Sequence, residues 1–408
     1  MKKNVYLCHH LNIKRILMHI VELPSFFPPY GGEFCLDQAK ALSSFGHTVR
    51  IISNVQLSVK KGIADFCLYS YGRKWTEMDG VSVYYSYTRG IPMMIKPNVE
   101  RWVKTVRQMF DDYVQKYGRP DIIHAHCAHW AGYASMLIGH DYGIPYVITE
   151  HLSSYNFTTE IAKTGGCGSW EIPLIRKAYA EASIVLPVAA ELTDNLAPIF
   201  GKEYRWKEMP NAIDTDFYAY RKREDWRISA KPYRIVCLAN FISLKGYDIL
   251  LPAFKEFCKK HKNSCLDVLG FGTDSEEMQK MIRLFGVENV YCYGRVGRER
   301  VREVLYESNL LVLPSRSEAQ PLSLLEAMST GIPVVATEVT PRSLRIEGGC
   351  TVVPTDDVEA LADAMEKACE NVDFDGFAVS QNVRQIASYD VLANKLDMIF
   401  TDIIKNRK

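Results

Sequence analysis

Residues 310–337 read LLVLPSRSEAQPLSLLEAMSTGIPVVAT. The run LLVLPS at 310–315 is short and apolar, and a second apolar run, PVVATEV, covers 333–339. Both are typical of buried strands. The stretch between them, LSLLEAMSTG, has helical spacing and ends on Gly331, a residue that often terminates helices. A strand, a helix and a second strand in this order predict a parallel sheet with a crossover helix.

The same alternation recurs along the chain in two sets, which predicts an α/β fold of two Rossmann-like parallel-sheet domains facing across a cleft. The first set comprises RILMHIV (15–21), TVRIIS (48–53), VSVYYSY (81–87), DIIHAH (121–126), PYVITEH (145–151) and SIVLPVA (183–189). The second set comprises RIVCLAN (234–240), CLDVLGFG (265–272), VYCYGR (290–295), LLVLPS (310–315), PVVATEV (333–339) and CTVVP (350–354).

The segment between the two sets, at 208–226, contains turn residues and charges and shows little periodicity. We therefore predict an N-terminal domain at 1–208 and a C-terminal domain at 209–385. The last stretch, 386–408, has amphipathic helical spacing and is expected to pack back on the first domain.

The composition indicates which partners and which cellular compartment to expect. The net charge of +1 gives no global field for nucleic acid, so no nucleic-acid partner is expected. The 11 cysteines include no C-x-x-C pair, which favours a reducing compartment and argues against a zinc site. The N-terminus lacks the apolar core of a signal peptide, and no segment approaches ~18 uninterrupted apolar residues. These features predict a cytoplasmic protein.

Two carboxylates flank the turn after the strand at 310–315. Glu318 is expected in the loop over the sheet edge. The helix beginning near Leu322 offers free N–H groups and roughly half a positive charge, which favours a diphosphate. Glu326 should lie one turn into the helix on its sheet-facing side, where a carboxylate needs hydrogen-bond donors such as a vicinal diol. The alternative is that each acid bonds a neighbouring loop.

Other polar residues follow predicted strands, where ligands bind in open α/β sheets. Lys245 can reach a phosphate as a point charge, or be an ordinary surface lysine. Gly31 and Gly32 allow a ligand to approach the backbone closely, or form a plain turn. His126 and His151 end two strands and favour hydroxyl recognition, the alternative being hydrogen-bonded structural histidines.

Two other motifs are discounted. LGFGTDS has Ser275 where a dinucleotide fingerprint has its third glycine. Asp214 and Asp216 form a D-x-D pattern that could hold a divalent ion, but they lie in the turn between the domains, so a structural use is expected.

The chain resembles the retaining nucleotide-sugar glycosyltransferases of the GT-B fold, specifically glycosyltransferase family four. The resemblance is carried by MPNAIDTDFY, LANFISLKGYDILLPAF, LDVLGFGTDSEEMQ, VYCYGRV and LPSRSEAQPLSLLEAMSTGIPVVAT, in family order. It extends to FPPYGGEFCLDQAKALSSFGHTVRIIS, DIIHAHCAHWAGYAS and VITEH. It implies an N-terminal acceptor-side domain and a C-terminal domain that binds the nucleotide sugar.

The resemblance also implies the residues of the transfer step. Glu318 would touch hydroxyls of the donor sugar and Lys245 the diphosphate. Backbone amides around Leu322 and Ser323 would assist Lys245, and His151 looks like the family histidine near the reacting sugar. No metal and no cofactor are expected, because the nucleotide sugar is itself a substrate.

Further donor contacts are implied in the C-terminal domain. Glu326 would bind the nucleotide ribose, and residues around Arg295 and Val296 would border the base. The family commonly has arginine at the position of Asn240. Asparagine can donate a hydrogen bond but carries no charge, so one phosphate contact is expected to be weaker or replaced.

On the acceptor side, the resemblance places Gly32 near phosphate and acceptor, with Gly31 and His126 beside it. The stretch RGIPMMIKPNVERWVKTVRQMF at 89–110 is basic and amphipathic. It predicts either peripheral contact with the cytoplasmic membrane face, where a lipid-linked acceptor would reside, or an ordinary surface helix.

The expected function is therefore metal-independent, retaining hexosyl transfer from a UDP- or GDP-linked sugar to a glycan or lipid-linked acceptor. Biosynthesis of a cell-surface polysaccharide, such as lipopolysaccharide or capsule, is the expected setting. A glycoside hydrolase using Glu318 and Glu326, a nucleotide-sugar isomerase and a catalytically silent binding protein remain alternatives.

Overall fold

The structure is a computed structural model that describes residues 16–57, 67, 72–154, 156–157, 170–222 and 231–406. Within these residues two sheets form, one in each half of the chain, and their strands run parallel except for one edge strand. This confirms the predicted class of two parallel-sheet α/β domains.

The first sheet has seven strands in the spatial order β3-β4-β2-β1-β5-β6-β7. The chain builds outward from β1 first in one direction and then in the other, so the order reverses between β1 and β5. The strands are β1 (His19–Pro24), β2 (Thr48–Leu57), β3 (Arg73–Met78), β4 (Val81–Arg89), β5 (Ile122–His126), β6 (Tyr146–Glu150) and β7 (Ile184–Pro187).

The sequence did not predict β3, which pairs antiparallel with β4 from Arg73 opposite Ser86 to Met78 opposite Val81. Most of its side chains are exposed, so it contains no apolar run. The first strand also begins at His19 instead of residue 15, and Leu17 just before it is 67% exposed.

The second sheet has six parallel strands in the order β10-β9-β8-β11-β12-β13. Its order reverses between β8 and β11, and a crevice at the carboxyl ends of such a pair is where open α/β sheets bind ligands. The strands are β8 (Tyr233–Leu238), β9 (Ser264–Leu269), β10 (Val290–Gly294), β11 (Leu310–Leu313), β12 (Val334–Thr337) and β13 (Cys350–Val353).

Helices connect most of the strands. The α-helices are α1 (Glu33–Ser44), α2 (Ile95–Tyr117), α3 (Tyr133–Tyr142), α4 (Ile172–Glu181), α5 (Ala190–Phe200), α6 (Tyr247–Lys260), α7 (Glu276–Phe285), α8 (Arg298–Glu307), α9 (Leu322–Thr330), α10 (Val358–Glu370), α11 (Gly376–Ala387) and α12 (Tyr389–Lys405). Among the described helices, none is both long enough and apolar enough to cross a membrane.

The final helix, α12, packs on the first domain. Leu392, Leu396 and Phe400 share a buried cluster with Met18 and other residues of the first sheet. The chain thus passes between the domains twice, and the two passages touch: the backbone N–H of Ile213 donates to the carbonyl of Ala387 at 2.9 Å.

Candidate active site

Lys245 and Glu318 meet at the point where the second sheet reverses its strand order. Lys245 ends a short 3-10 turn after β8, and Glu318 follows β11. The ammonium group donates to Glu318 Oε1 at 2.6 Å, and the Ser315 hydroxyl donates to the same oxygen at 2.6 Å. The lysine side chain is 22% exposed and the glutamate 7%, so the pair lines the sheet edge with only a small part open.

The two loops that carry this pair are in close contact at Gly246. This glycine has a φ of +65°, and a Cβ atom added there would lie 2.0 Å from the carbonyl oxygen of Pro314. Only a residue without a side chain permits this approach. The K-G dipeptide is therefore needed to bring Lys245 within reach of Glu318.

Arg316 braces the same loops from the outside. Its guanidinium group contacts both carboxylate oxygens of Asp248, at 2.9 and 2.7 Å, and its Nε donates to Asp356 at 2.6 Å. The hydrogen bond from Arg316 lowers the pKa of Asp248. Sequence reasoning missed this residue, because nothing in the local pattern shows that two distant acids converge on it.

Helix α9 begins at Leu322, as predicted, and ends before Gly331, whose φ of +86° is the left-handed stop expected there. No side chain caps its first turn, and Pro321 precedes it. Leu322 and Ser323 are half-buried. The amide groups of the first turn therefore remain available to an anionic ligand, a few residues from Lys245 and Glu318.

Glu326 is half-buried in helix α9, whereas Leu325 and Met328 beside it are fully buried. Burial raises the pKa of Glu326 to about 7, opposed by a hydrogen bond from the Tyr218 hydroxyl and by the positive charge of Arg298. The Tyr218 hydroxyl thus supplies a donor that this carboxyl group requires.

The other residues expected to contact the donor have different environments. Asn240 accepts a hydrogen bond from the backbone N–H of Phe271 at 2.9 Å, so its amide oxygen is used to brace the loop after β9. Arg295 is exposed, and Val296 packs against the core of the second domain. The structure thus places Arg295 and Val296 at the end of β10, separate from the contacts around Lys245.

His151 follows β6 in the first domain and is half-buried. Its Nε2 lies 3.2 Å from Nδ1 of His126, and its Nδ1 lies 3.4 Å from the side-chain nitrogen of Asn211. The ring of Phe34 stacks on it with a centroid separation of 3.7 Å. Burial holds the pKa of His151 well below its usual value, so the ring is neutral.

His126 has the environment of the structural alternative, a buried histidine held by hydrogen bonds. His126 is 1% exposed, and its Nε2 contacts Glu22 Oε2 at 2.7 Å inside the sheet. The side chain of the last residue of β5 points toward the neighbouring strand β1, and His151 lies between it and the cleft. A histidine at a strand end looks the same in sequence whichever face it uses.

Gly31 and Gly32 have φ values of +92° and +85°. A Cβ atom at Gly32 would lie 2.1 Å from the carbonyl oxygen of Phe26, so glycine is required there. The tight turn starts helix α1 at Glu33, and the next residue, Phe34, reaches His151. The glycine loop therefore positions the ring that covers the candidate catalytic histidine.

A pair of hydrogen bonds connects the loop after β11 to Asn211, which lies in the first passage of chain between the domains. The backbone N–H of Asn211 donates to Gln320 Oε1 at 2.7 Å, and Gln320 Nε2 donates back to the Asn211 carbonyl at 3.2 Å. Ala319 packs against the core of the first domain. Asn211 thus contacts both the loop that carries Glu318 and the side chain of His151.

Two concave surfaces lie on the first domain. A cavity of about 250 Å³ is bounded by the loop after β1 and by helix α2. Its lining includes Phe26, Gln56, Trp102, His129 and Trp130. A groove of about 670 Å³ lies between helices α2 and α3.

The D-x-D pattern has the structural use expected of it. Asp214 accepts hydrogen bonds from the backbone N–H groups of Asp216 and Phe217, and Asp216 pairs with Arg384. The cysteines that the structure describes are free thiols.

Two Rossmann-like domains with a lysine, a glutamate and a helix N-terminus at the crevice of the second define the GT-B class. Two family models match this chain: "Glycosyltransferase Family 4" over residues 31–217 and "Glycosyl transferases group 1" over residues 232–371. The chain belongs to the GT-B glycosyltransferases of family four.

Known proteins agree with this assignment. The chain is 27% identical over 207 residues to a GDP-mannose-dependent alpha-(1-6)-phosphatidylinositol monomannoside mannosyltransferase of Mycolicibacterium smegmatis. That match covers 47% of this chain and 54% of the relative, so the chain spans about half the length of that relative.

Solved structures share the fold at low sequence identity. Sucrose-phosphate synthase of Thermosynechococcus elongatus superposes with a TM-score of 0.76 at 16% identity, covering 95% of this chain and 100% of that one. HepE of Anabaena, solved in complex with UDP, gives a TM-score of 0.68 at 16% identity over 94% of this chain and 100% of its own.

Proposed function

We propose that this protein transfers a hexosyl group from a nucleoside-diphosphate sugar to a glycan or lipid-linked acceptor, with retention of anomeric configuration and without a metal ion. The observation that carries the proposal is the contact between Lys245 and Glu318 at the strand-order reversal, four residues before the open end of helix α9. A cation, a hydroxyl acceptor and free amides in one place suit a sugar attached to a diphosphate.

The chemistry follows from where charge develops. As the anomeric bond breaks, positive charge grows on the sugar and negative charge grows on the leaving diphosphate. Lys245 and the first amides of helix α9 would stabilise that negative charge from fixed positions. Lys245 has three N–H donors, so it can keep Glu318 in place while binding a phosphate oxygen. Glu318 would accept hydrogen bonds from sugar hydroxyls.

The nucleotide is proposed to be UDP or GDP. HepE was solved with UDP, and the mycobacterial relative is described as GDP-mannose-dependent. Glu326 is proposed to bind the ribose, and Arg295 and Val296 to border the base. Asn240 would retain an amide N–H₂ group for a phosphate, since its oxygen is already bonded to Phe271.

The acceptor is proposed to bind the first domain, near Gly31 and Gly32, with the aromatic cavity of about 250 Å³ receiving part of a glycan. The groove along helix α2 has Val103 and Leu137 in its lining, and Met93 nearby is 95% exposed. These apolar groups support a lipid-linked acceptor and peripheral contact with the inner face of the plasma membrane, in the biosynthesis of a cell-surface polysaccharide such as lipopolysaccharide or capsule.

The decisive experiment incubates the protein with a panel of nucleoside-diphosphate sugars and glycan or lipid-linked acceptors, with and without EDTA. We expect release of free nucleoside diphosphate, a glycoside with the donor's anomeric configuration by NMR, and no loss of rate with EDTA. Cleavage of a plain oligosaccharide would favour the hydrolase, and an isomerised nucleotide sugar without release of diphosphate would favour the isomerase. Binding without turnover would indicate a silent binding protein.

A further inference from the structure

A chain of side chains runs from the interior of the first sheet to the cleft. Glu22 on β1 is fully buried, and its Oε2 contacts His126 Nε2 at 2.7 Å. His126 Nδ1 contacts His151 Nε2 at 3.2 Å, and His151 Nδ1 faces the side-chain nitrogen of Asn211 at 3.4 Å. His126 and His151 therefore each use both ring nitrogens in this series of contacts.

The carboxylate at the buried end determines which nitrogen carries each proton. An ionised carboxylate only accepts hydrogen bonds, so His126 must donate from Nε2 to Glu22. A neutral His126 then has a lone pair on Nδ1, which can only accept. His151 must therefore donate from its own Nε2, and its Nδ1 carries no proton. The amide N–H of Asn211 donates to that nitrogen.

The protonation states that this argument requires agree with the surroundings. Burial and the neighbouring His124 lower the pKa of His126 to about 4. Burial would raise the pKa of Glu22, but the positive charge of His124 and hydrogen bonds from His124 and His126 lower it to about 2. His124 lies on the other side of the carboxylate, with its Nδ1 2.9 Å from Glu22 Oε2 and its Nε2 2.7 Å from the Thr149 hydroxyl.

Neighbouring groups hold the His151 ring in one orientation. Phe34 stacks on it with an interplanar angle of 19°. Glu150, fully buried, accepts the backbone N–H groups of His151 and Leu152, each at 2.9 Å. The contact between His151 and Asn211, at 3.4 Å, is the longest in this series of hydrogen bonds and the one nearest the second domain. A ligand hydroxyl can replace it without disturbing the rest.

We propose that His151 presents an unprotonated Nδ1 to the donor sugar and accepts a hydrogen bond from one of its hydroxyls, with Glu22 and His126 as positioning residues that fix this tautomer. The inference rests on the proposed function, because it assumes that a sugar is bound beside His151. It makes the histidine a selector for a hydroxyl group that can donate. Sugars with an acceptor-only substituent at that position are rejected.

The first test needs no substrate. Two-bond ¹H–¹⁵N correlation spectra of the full-length protein with ¹⁵N-labelled histidine report which ring nitrogen is protonated, and a His151→Gln sample assigns the signal. At pH 7 we expect His151 as the Nε2–H tautomer, and a mixture of tautomers in His126→Phe, which cannot accept the proton. An Nδ1–H tautomer or an imidazolium ion at His151 in the wild-type protein would overturn the proposal.

The second test uses donor sugars in which each hydroxyl is replaced in turn by hydrogen or by fluorine. At one position we expect both replacements to lower kcat/KM at least tenfold more in the wild-type protein than in His151→Ala. The ratio between the proteins cancels the electronic effect of fluorine on the reaction. Tenfold losses for the deoxy sugar with full retention for the fluoro sugar would show that His151 donates, and would overturn the proposal.

His140→Gln provides the matched control, because His140 is exposed on the first domain and pairs with Glu181 at 2.6 Å. It should match the wild-type protein with every analogue. Failure of the proposed function can be told apart from failure of this inference. If the protein turns over no nucleotide sugar, the spectra still report the tautomer of His151. If it is an active transferase with the other tautomer, only this inference is refuted.

Discussion

Glu318 accepts a hydrogen bond from the ammonium group of Lys245 at 2.6 Å, although 73 positions of sequence separate them. Each residue follows a strand of the second sheet, and those two strands, β8 and β11, are adjacent. Their proximity thus follows from the strand order. A diphosphate bound at the open end of helix α9 would meet the ammonium group first.

Removal of this ammonium group should affect turnover much more than folding. One preorganised donor to a developing negative charge is typically worth ~3 kcal/mol, so Lys245→Ala should lower kcat about a hundredfold or more. Initial rates with the nucleotide sugar measure this, and circular dichroism should show an unchanged fold. Lys259→Ala is the control, since that lysine pairs with Glu256 on an exposed helix face. Wild-type turnover in Lys245→Ala would remove the lysine from the site.

Nucleotide-sugar affinity should depend on pH through Glu326. The pKa of this carboxyl is raised to about 7, so it is protonated in the unliganded protein below pH 7. Ribose hydroxyls that donate to a carboxylate favour its ionised form. The affinity should therefore be constant above pH 7 and fall toward tenfold per pH unit below it, as protonation competes with binding.

Isothermal titration calorimetry from pH 5 to pH 8 checks this dependence. A nucleotide sugar is preferable to the free diphosphate, because it lacks a terminal phosphate that titrates near pH 6. Glu326→Gln should bind more weakly at pH 8 and lose the dependence. A wild-type affinity that is flat across this range would exclude Glu326 from the ribose site.

Gly246→Ala should destabilise the second domain and displace Lys245. The new methyl group would meet the Pro314 carbonyl oxygen at 2.0 Å, so the backbone must shift. Gly348→Ala is a matched control: its φ is +74°, and a Cβ atom there meets nothing within 4 Å. The backbone conformation alone costs about 1–2 kcal/mol for a residue with a side chain. The Tm of Gly246→Ala should fall further than that of Gly348→Ala, and equal values would refute the close approach.

The proposed membrane contact can be tested by co-sedimentation with vesicles containing anionic lipid. Met93 and Met94 are 95% and 46% exposed, and burying an apolar side chain contributes ~1.5–3 kcal/mol. The double variant Met93→Asp, Met94→Asp should therefore bind at least tenfold more weakly, and salt should weaken wild-type binding through Lys96 and Lys104. Met398→Asp, at a methionine that is 63% exposed on helix α12, should behave as wild type. Absence of salt-sensitive binding would exclude the contact.

The fold was predictable because most of its strands are buried on both faces and appear as apolar runs. Edge strand β3 was not predictable, because most of its residues are exposed and it contains no apolar run. The residues after β8 and β11, including Lys245 and Glu318, were predictable from the general rule that ligands bind at the carboxyl ends of parallel strands.

Contacts that depend on tertiary packing were beyond sequence reasoning. Glu22 lies in the apolar run of β1, and nothing local indicates that two histidines from β5 face it. Tyr218 and Arg298 reach Glu326 from segments that are distant in sequence. Gln320 gives no local signal either, because its partner Asn211 is 109 positions away in sequence.

The two passages of chain between the domains lie side by side, with Ile213 paired to the segment that begins at Ser388. Two adjacent connections allow one domain to rotate about the line that joins them, but they oppose rotation about other axes. Opening and closing of the cleft would then follow a single hinge-like path.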